Sequence, residues 1–446
     1  MKGKLTILFF MVGMGITLAQ KKLWTLEECV DYALENNITI EQFRLDLEMA
    51  TIDKSDAIGD FLPNLNGTLN GQSNTGLSFD PTNNQPVNTT QITSSGSVNS
   101  SINLFNGLRN IHRLNRAKLN TIANRYRLDD LVNDVRLNVA IAYLNILSNK
   151  EALKVAKALY AVTEQDLNRT KELVESGVVA QGDLLDIEAT AATREQQIIN
   201  AENEVLISII GLAQLLQITD YENFDIATEV YEVPPTDIMK NTPKIIFDEA
   251  LGYRWDIKFN ETNVEIAKKD LQIAKGAAYP SLDAFINYNT RYSDQFLDPI
   301  TGDLIPFKDQ LWINDGIAFG AQISIPILNG FNTRNGIKRS RINVKKAQLQ
   351  LEQNKLDLET NINQSYVDVI NSSKAYEAAL KTREARMLAL NYSKERFDVG
   401  IMNSFDYSQA QSRVDNAEAE VIRTKFDYIF RIKVLEFYFG LPIVLN

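Results

Sequence analysis

The longest regular pattern in this chain of 446 residues lies between Leu108 and Ser176, sixty-nine residues without a glycine or a proline. Because those two residues interrupt helices most strongly, the stretch predicts one continuous helix, roughly 100 Å long at about 1.5 Å per residue. Gly177 follows, at the position where a left-handed residue usually ends a helix. No compact domain can bury a rod of this length.

Apolar residues along this helix recur at alternating spacings of four and three, which is the period of a left-handed coiled coil. A partial second stripe of Leu137, Ile141 and Leu144 lies beside the first. Two stripes indicate neighbours on two sides, as in a ring of helices, whereas the first stripe alone fits a two-stranded coiled coil equally well. The positions of the first stripe are Leu128, Val132, Val135, Val139, Ala142, Ile146, Asn149, Leu153, Ala156, Tyr160, Thr163, Leu167, Thr170 and Val174.

The whole pattern occurs twice along the chain. Asn106-Gly107, which mark the passage from strand to long helix, fall on Asn329-Gly330 when the sequence is shifted by 223 residues, and Gly177 then falls on Gly400. The sequence therefore predicts a tandem duplication in which each half has a helix, two strands, a long helix and a helix. The predicted segments are a first repeat at 20–218 (strands 64–105, helices 108–176 and 183–216), a linker at 219–243, and a second repeat at 244–446 (strands 281–328, helices 332–399 and 404–439).

The first nineteen residues predict a signal peptide. Lys2 and Lys4 precede an apolar stretch from Leu5 to Leu18, and Ala19 offers a small residue for cleavage. The apolar stretch is too short for a transmembrane helix. No other segment has eighteen consecutive apolar residues, so a membrane-spanning part would have to consist of strands.

Alternation with a period of two replaces the helical pattern in the strand segments. A weaker fourth strand runs from Leu65 to Ser73. An apolar face opposite a small, neutral-polar face is typical of a membrane β-barrel, although a half-buried soluble sheet alternates in the same way. The positions assigned to the apolar face are Val98, Ser100, Ile102, Leu104, Leu282, Ala284, Ile286, Tyr288, Ile317, Phe319, Ala321, Ile323 and Ile325.

Four strands cannot close a barrel, and lipid does not tolerate open sheet edges. Because about eight strands is the smallest common closed barrel, copies of the chain would have to pool their strands, eight from two copies or twelve from three. Tyr292, Phe296, Phe307 and Trp312 lie near the predicted strand ends, where aromatic residues would contact the membrane interface.

The composition excludes several kinds of function. The formal net charge of −11 argues against a nucleic-acid partner, which requires a basic surface. Cys29 and His112 are the only cysteine and histidine, which leaves little material for a metal site or a nucleophilic triad. The chain also lacks the glycine-rich motif of nucleotide-binding loops. We therefore expect no enzyme activity and no cofactor.

Taken together, these features resemble the TolC family of bacterial outer-membrane efflux proteins. The marks that carry the resemblance are the duplication, the strand pairs, the prolines Pro63 and Pro280 before the strands, the Phe105-Asn106-Gly107 and Leu328-Asn329-Gly330 turns, the Gly177–Asp183 and Gly400–Asp406 segments, and Phe439-Gly440-Leu441-Pro442. The resemblance implies a mixed α/β membrane protein, a homotrimer whose twelve strands form one barrel in the outer membrane of a Gram-negative bacterium. It also implies an α-helical tunnel in the periplasm.

The resemblance further implies a passive exit duct with porin activity, for efflux or type I secretion. A periplasmic adaptor and an inner-membrane pump of the RND or ABC type would dock at its helical end and supply the energy. The alternative is a soluble periplasmic coiled-coil scaffold or adaptor, in which the strands form a small soluble sheet. Release without detergent would identify the scaffold.

The turns at Gly177 and Gly400 correspond to the tip of the tunnel. Asp183 and Asp186 lie three residues apart at the start of a helix, so they share a face. The helix dipole also favours carboxylates there. In a threefold assembly these residues, with Asp406, would gather acidic groups that resist closure unless cations or protons offset them. This predicts a cation-sensitive tip constriction, although ordinary acidic residues at a helix N-terminus are the simpler interpretation.

The tip departs from the family pattern in two ways. In the family's best-known member the aspartate pair follows the second glycine, but here Gln409 replaces its second aspartate and the full pair lies in the first half. The positions of the tyrosine and arginine that latch the closed tip hold Phe397 and Met402. Ser404 is predicted as the N-cap of the last helix, and the Gly400-Ile401-Met402 turn either faces an adaptor or serves packing.

Overall fold

The computed structural model describes residues 22–79, 84–228, 232–233 and 237–441. The predicted signal peptide, residues 1–19, lies outside the described residues, as does Pro442. The helices are α1 Leu26–Asn36, α2 Ile38–Gly59, α3 Arg109–Glu175, α4 Gln181–Leu215, α5 Pro243–Tyr253, α6 Trp255–Gly276, α7 Phe307–Ile313, α8 Asn332–Asp398 and α9 Ser404–Tyr438. The strands are β1 Leu23–Trp24, β2 Asn64–Phe79, β3 Pro86–Phe105, β4 Asp225–Ile226, β5 Ser281–Ser293 and β6 Gly316–Ser324.

The helices of the two halves match in length. Helices α1 and α5 each have 11 residues, and α2 and α6 each have 22. The long helices α3 and α8 each have 67 residues, and α4 and α9 each have 35. Equal lengths are what a tandem duplication predicts. The halves differ in their strands, which are 16 and 20 residues long in the first half but 13 and 9 in the second.

The chain divides into two compact units, each containing parts of both halves. The sheet unit comprises residues 39–131 and 251–360. The helical unit comprises residues up to 38, 132–250 and from 361 onward. The long helices α3 and α8 contribute residues to both units.

In the sheet unit, four strands form an antiparallel sheet in the order β2-β3-β5-β6. Val98 pairs with Tyr288, which pairs with Ile317, while the next row joins Asn99 to Asn287. Because cross-strand partners project to the same face, most apolar residues collect on one face, together with Ser100. Most of the asparagines and serines collect on the other face, together with Phe285. The polar face is linked internally, since Asn103 Nδ2 donates to Asp283 Oδ1 at 2.7 Å.

The sheet differs from the sequence-based expectation at two places. Strand β2 continues to Phe79, although the apolar pattern weakens at Ser73, because backbone pairing with β3 does not require apolar side chains. The register of β3 shifts between Asn103 and Phe105, so Phe105 pairs with Leu282. Leu104 has no cross-strand partner in this register, because a bulge inserts one extra residue there, so its place on the apolar face stays a prediction.

A short helix that the sequence pattern does not predict, α7, joins β5 to β6. Buried Gln310 holds it to the end of β5, accepting from the backbone nitrogen of Ser293 at 2.9 Å and donating to the Ser293 carbonyl at 2.9 Å. Two of the predicted membrane-interface aromatics, Phe307 and Trp312, thus lie on a short helix between the end of β5 and the start of β6. Phe307 contacts Tyr292 on β5, with ring centroids 5.0 Å apart.

The core of the helical unit lies where β1 and β4 pair in parallel beside α3. The Tyr143 hydroxyl, on a side chain without solvent exposure, donates to the Ala227 carbonyl at 3.0 Å, and Lys150 Nζ lies 2.6 Å from Asp225 Oδ1. Ile226 is fully buried in this core. Residues 219–243, predicted as a linker, therefore contribute a strand and a core side chain.

One helix among the described residues, α4, is long and apolar enough to cross a membrane by length and composition alone. A single helix of this kind is weak support for a transmembrane helix. Near its middle α4 carries Arg194, which is buried and ion-paired with Asp415 on α9 at 2.8 Å. A buried charge held by a neighbouring helix is typical of helix packing within a protein.

Candidate functional site

The candidate site lies in the helical unit, at the two turns that follow the long helices. Both turns end their helix in the same way. Gly177 has φ 76° and Gly400 has φ 75°, and the following residues close six-residue hydrogen-bonded rings, from Val178 N to Leu173 O and from Ile401 N to Arg396 O, each at 2.9 Å. This is the Schellman arrangement, in which a left-handed glycine satisfies the last helical carbonyls.

The helices after these turns begin differently. The N-cap of α9 is Asn403, whose side chain accepts from the Asp406 backbone nitrogen at 2.8 Å. Ser404 is therefore not the N-cap, and that prediction is wrong: Ser404 is the first residue of the helix. The N-cap of α4 is Ala180, which makes no side-chain cap.

Ser404 instead joins α9 to the acidic pair on α4. Its hydroxyl lies 2.6 Å from Asp183 Oδ1 and 3.1 Å from Asp186 Oδ2, and its backbone nitrogen lies 3.4 Å from the same Asp183 oxygen. Asp183 and Asp186 do share a face, and their carboxylates meet at the N-terminus of a helix, where the dipole favours negative charge. Asp406 is not part of this cluster, because the structure gives its side chain no contact with Ser404.

A second polar cluster joins α3 to α9. Asp166 Oδ2 accepts hydrogen bonds from the Tyr407 hydroxyl and from Gln411 Nε2, both at 3.0 Å. Burial, followed by the negative charge of Asp166, raises the pKa of the Tyr407 phenol well above its usual value, so the phenol remains a neutral donor. The Phe397 ring stacks on Tyr407 with centroids 4.7 Å apart and planes within 5°.

An ion pair and a cleft lie beside the two turns. Arg169 Nη1 on α3 lies 2.7 Å from Asp398 Oδ1 at the end of α8. A cleft of about 720 Å³ opens between the two turns, and Met402 contributes to its wall. Its other walls include Asp166, Arg169, Asp183, Phe397, Asp398 and Ile401.

The strand-to-helix turns lie in the sheet unit. Asn106 Oδ1 accepts from the Asn110 backbone nitrogen at 3.3 Å, and Asn329 Oδ1 accepts from that of Thr333 at 3.5 Å. Gly107 and Gly330 both have positive φ, at 70° and 59°. The asparagine in each turn therefore occupies the same place at the start of a long helix.

Sequence reasoning missed several residues that the structure brings together beside the two turns. Asp166, Arg169, Asp398, Tyr407 and Gln411 supply the polar contacts between α3 and the second-half helices. The duplication did contain one signal that could have pointed to this polar cluster. Tyr407 corresponds to Leu184 of the first half, so a side chain with a hydroxyl group replaces an apolar core residue. In the parts of the chain that the structure describes, no group of three or more histidine, cysteine, aspartate or glutamate side chains is arranged to hold a metal ion.

The model of the outer membrane efflux protein family matches residues 29–216 and 246–429. The chain belongs to the outer membrane efflux protein family. This efflux protein therefore resides in the outer membrane, with its helical part in the periplasm, and the repeated match, once in each half, agrees with the duplication.

Individual relatives of this efflux protein are distant. The outer membrane protein TolC of Vibrio cholerae is 22% identical over 305 residues, which cover 66% of this chain and 65% of TolC. The match thus spans about 65% of the length of that relative.

Solved structures of similar fold cover nearly the whole chain. The CmeC outer membrane channel of Campylobacter jejuni superimposes with a TM-score of 0.79 at 18% identity, covering 93% of this chain and 85% of CmeC. VceC, an outer membrane protein of Vibrio cholerae, superimposes with a TM-score of 0.76 at 16% identity. The match covers 93% of this chain and 96% of VceC. At these identities the likeness establishes the fold.

Proposed function

We propose that this protein is one subunit of a trimeric exit duct that conducts substrates passively across the outer membrane. The observation that carries the proposal is the four-stranded sheet with one apolar and one polar face. Among the described residues, β2 and β6 each pair along one side only. Lipid does not tolerate such edges, and three copies would give a twelve-stranded barrel, within the usual range of about 8 to 26.

The polar face of the sheet would line the lumen of that barrel. It carries Asn66, Asn99, Asn287 and Ser97, which are neutral, and Asp283 is held by Asn103. The apolar face, with Ile286, Ile317 and Phe319 exposed, would contact lipid. Tyr292, Phe296, Phe307 and Trp312 would lie at the membrane interface.

The tip would be the closable end of the duct. Contacts between first-half and second-half helices, Asp183 with Ser404, Asp166 with Tyr407 and Arg169 with Asp398, support this assignment because opening would have to separate some of them. They take the place of the family's usual latch residues, which this chain lacks. Asp183 and Asp186 would make the closed tip cation-sensitive, since cations offset like charges brought close together.

A periplasmic adaptor and an inner-membrane pump of the RND or ABC type would dock at this end and supply the energy. The cleft beside the Gly400 turn, with Met402 in its wall, is a surface that such a partner could contact. The substrate would pass chemically unchanged.

The test is single-channel current across a planar bilayer after addition of detergent-purified protein. We expect small, steady, cation-selective openings that divalent cations suppress. Asp183→Asn combined with Asp186→Asn should weaken the divalent block, whereas Asp406→Asn, a matched change outside the Ser404 cluster, should weaken it less. Equal divalent block in the wild type, the double variant and Asp406→Asn would contradict the acidic constriction, but it would not contradict the proposal that the protein is a duct.

Extraction from membranes separates the duct from the alternative function. A soluble periplasmic scaffold would leave the membrane fraction in alkaline carbonate without detergent, and it would carry no current. A subunit of an outer-membrane duct should stay in the pellet until detergent is added. Release by carbonate together with absence of current would overturn the proposed function.

A further inference from the structure

Within the chain, the first-half helix α3 packs on the second-half helix α6 through a backbone crossing and an ion pair. An added Cβ on Gly276, the last residue of α6, would lie 2.6 Å from the carbonyl oxygen of Gly107. Nine residues after Gly107, Arg116 Nε lies 2.7 Å from Oδ1 of Asp270, which precedes Gly276 by six residues. We call this set of contacts the internal seam.

The duplication supplies the same four residues a second time. Gly330 corresponds to Gly107, and Arg339 follows it by nine residues. Gly59 ends α2 as Gly276 ends α6, and Asp53 precedes it by six residues. An added Cβ on Gly59 or Gly330 would meet no atom within 4 Å. Asp53 and Arg339 are exposed, and the described part of the chain offers neither of them an ion-pair partner.

We propose that a second copy of this chain completes this set, which we call the external seam. Gly330 of one copy would cross Gly59 of the next copy, and Arg339 would pair with Asp53 of that copy. The proposal rests on the proposed trimeric duct and specifies which surfaces of neighbouring subunits meet, and in which register. The residues that would complete the contacts of Gly330 and Arg339 are Gly59 and Asp53 of this same sequence, so the occupant we propose is a second copy and not an unrelated protein.

The strand order supports the same neighbour. In the internal arrangement β3, the second strand of the first half, pairs with β5, the first strand of the second half. Repeating that step would pair β6 with β2 of the next copy, and these are the two edge strands of the sheet. The external seam and the pairing of the two edge strands would therefore both be completed by the same neighbouring copy.

The exposed side chains near the external seam also fit a helix partner. On α8, Ile342 and Leu349 are 59% and 57% exposed, and on α2, Met49 and Ile52 are 61% and 56% exposed. Ile342 and Leu349 are seven residues apart, the spacing of a coiled-coil contact. If Arg339 meets Asp53, the antiparallel register places Ile342 within one residue of Met49 of the neighbour, so apolar burial would accompany the ion pair.

Crosslinking of the full-length protein in detergent tests the external seam. In the variant Asp53→Cys with Arg339→Cys, a short thiol-specific crosslinker should give covalent dimers and trimers on a denaturing gel. The matched control is Asp270→Cys with Arg116→Cys, which should crosslink only within single chains, as seen by mass. The native Cys29 can remain, because it is fully buried and burial raises its thiol pKa to about 12, which makes it unreactive.

The outcomes separate the seam from the duct. Native mass of a trimer with only single chains on the denaturing gel would overturn the external seam and leave the trimer standing. Native mass of one copy would overturn the trimer and the seam together. Covalent ladders from the seam variant, with none from the internal control, would support the proposal.

Charge reversal gives an independent measurement that does not depend on crosslinker geometry. Asp53→Arg alone and Arg339→Asp alone should each place like charges across the seam and lower the temperature at which the trimer dissociates. The two changes combined should restore most of that loss, because the pair is then re-formed in the opposite orientation. If the dissociation temperature of the combined variant falls by the sum of the two single decreases, Asp53 and Arg339 are not in contact.

Discussion

The two strand-to-helix turns share a backbone conformation but differ in their surroundings. Gly107 and Leu108 have φ 70° and 63°, and Gly330 and Phe331 have φ 59° and 65°. Yet Asn106 and Gly107 are buried, whereas Asn329 and Gly330 are exposed. The local sequence determines the turn, and the neighbouring element determines burial. The element that buries the first-half turn within the chain therefore indicates what kind of element would bury the second-half turn if a second copy supplied it.

Helices α4 and α9 differ from the strand-to-helix turns, because corresponding positions in the two halves hold side chains of different chemistry. Tyr407 occupies the position of Leu184, and both side chains are buried. Arg194 and Asp415 occupy positions that hold alanine, Ala417 and Ala192, in the other half. Tyr407, Arg194 and Asp415 thus make polar contacts between the helices of the two halves through side chains that the other half does not repeat.

The largest effect should come from breaking the buried pair of Arg194 and Asp415. Burial raises the pKa of the Asp415 carboxyl above its usual value even though the Arg194 charge lowers it, so desolvation outweighs the attraction. Arg194→Met alone or Asp415→Leu alone should lower the free energy of unfolding by about 3–5 kcal/mol, because one buried charge is left unpaired.

The combined Arg194→Met and Asp415→Leu variant should match the wild type or exceed its stability by about 1–4 kcal/mol, as apolar packing replaces the pair. Denaturant unfolding in detergent measures all three variants. At the position of Arg194 the second half has Ala417, which is buried without a charge, and this supports tolerance of an apolar replacement. Single changes that cost less than about 1 kcal/mol would indicate a solvated pair.

The next effect compares alanine at the two turn glycines. At Gly107 a Cβ would overlap the Gly276 carbonyl oxygen and lie 3.0 Å from the Tyr279 Cβ, in a backbone with positive φ. Gly107→Ala should therefore destabilise the single chain by about 2–4 kcal/mol. Gly330→Ala meets only the backbone penalty of about 1–2 kcal/mol in a single chain.

Unfolding of dilute single copies in detergent measures this difference, and Gly336→Ala inside α8 is a control without a positive φ. In the assembled trimer the difference should shrink, because the external seam would crowd Gly330 as the internal seam crowds Gly107. Equal losses in single copies would contradict the internal crossing, and an unchanged difference in the trimer would contradict the external seam.

Most of the fold could be predicted from the sequence because the duplication aligns local signals: the glycine stops, the asparagine-glycine turns and the heptad stripes. What the sequence could not supply depends on long-range contact. Helix α7 is held by Gln310, a polar residue whose burial only the folded sheet produces. The sequence alone does not distinguish Asn403 from Ser404 as the cap, because they are adjacent and both residue types are good caps. Asp166 and Tyr407 meet across separate helices, and no spacing in the sequence joins them.

The smallest effect concerns the helix caps at the tip, where the halves differ by one side chain. Asn403→Ala should cost about 1 kcal/mol, since the Asp406 backbone nitrogen loses its acceptor. Ala180→Asn should add a similar amount, because Ala180 already has φ −75° and ψ 149°, close to the −79° and 163° of Asn403.

Denaturant midpoints of the two single variants and of their combination measure this exchange. The effects should cancel in the combined variant, since the caps lie on separate helices and share no hydrogen bond. A combined variant much less stable than the wild type would mean that Asn403 does more than cap α9. The contact of Ser404 with Asp183 begins one residue later, so it would then be the first place to look for the coupling.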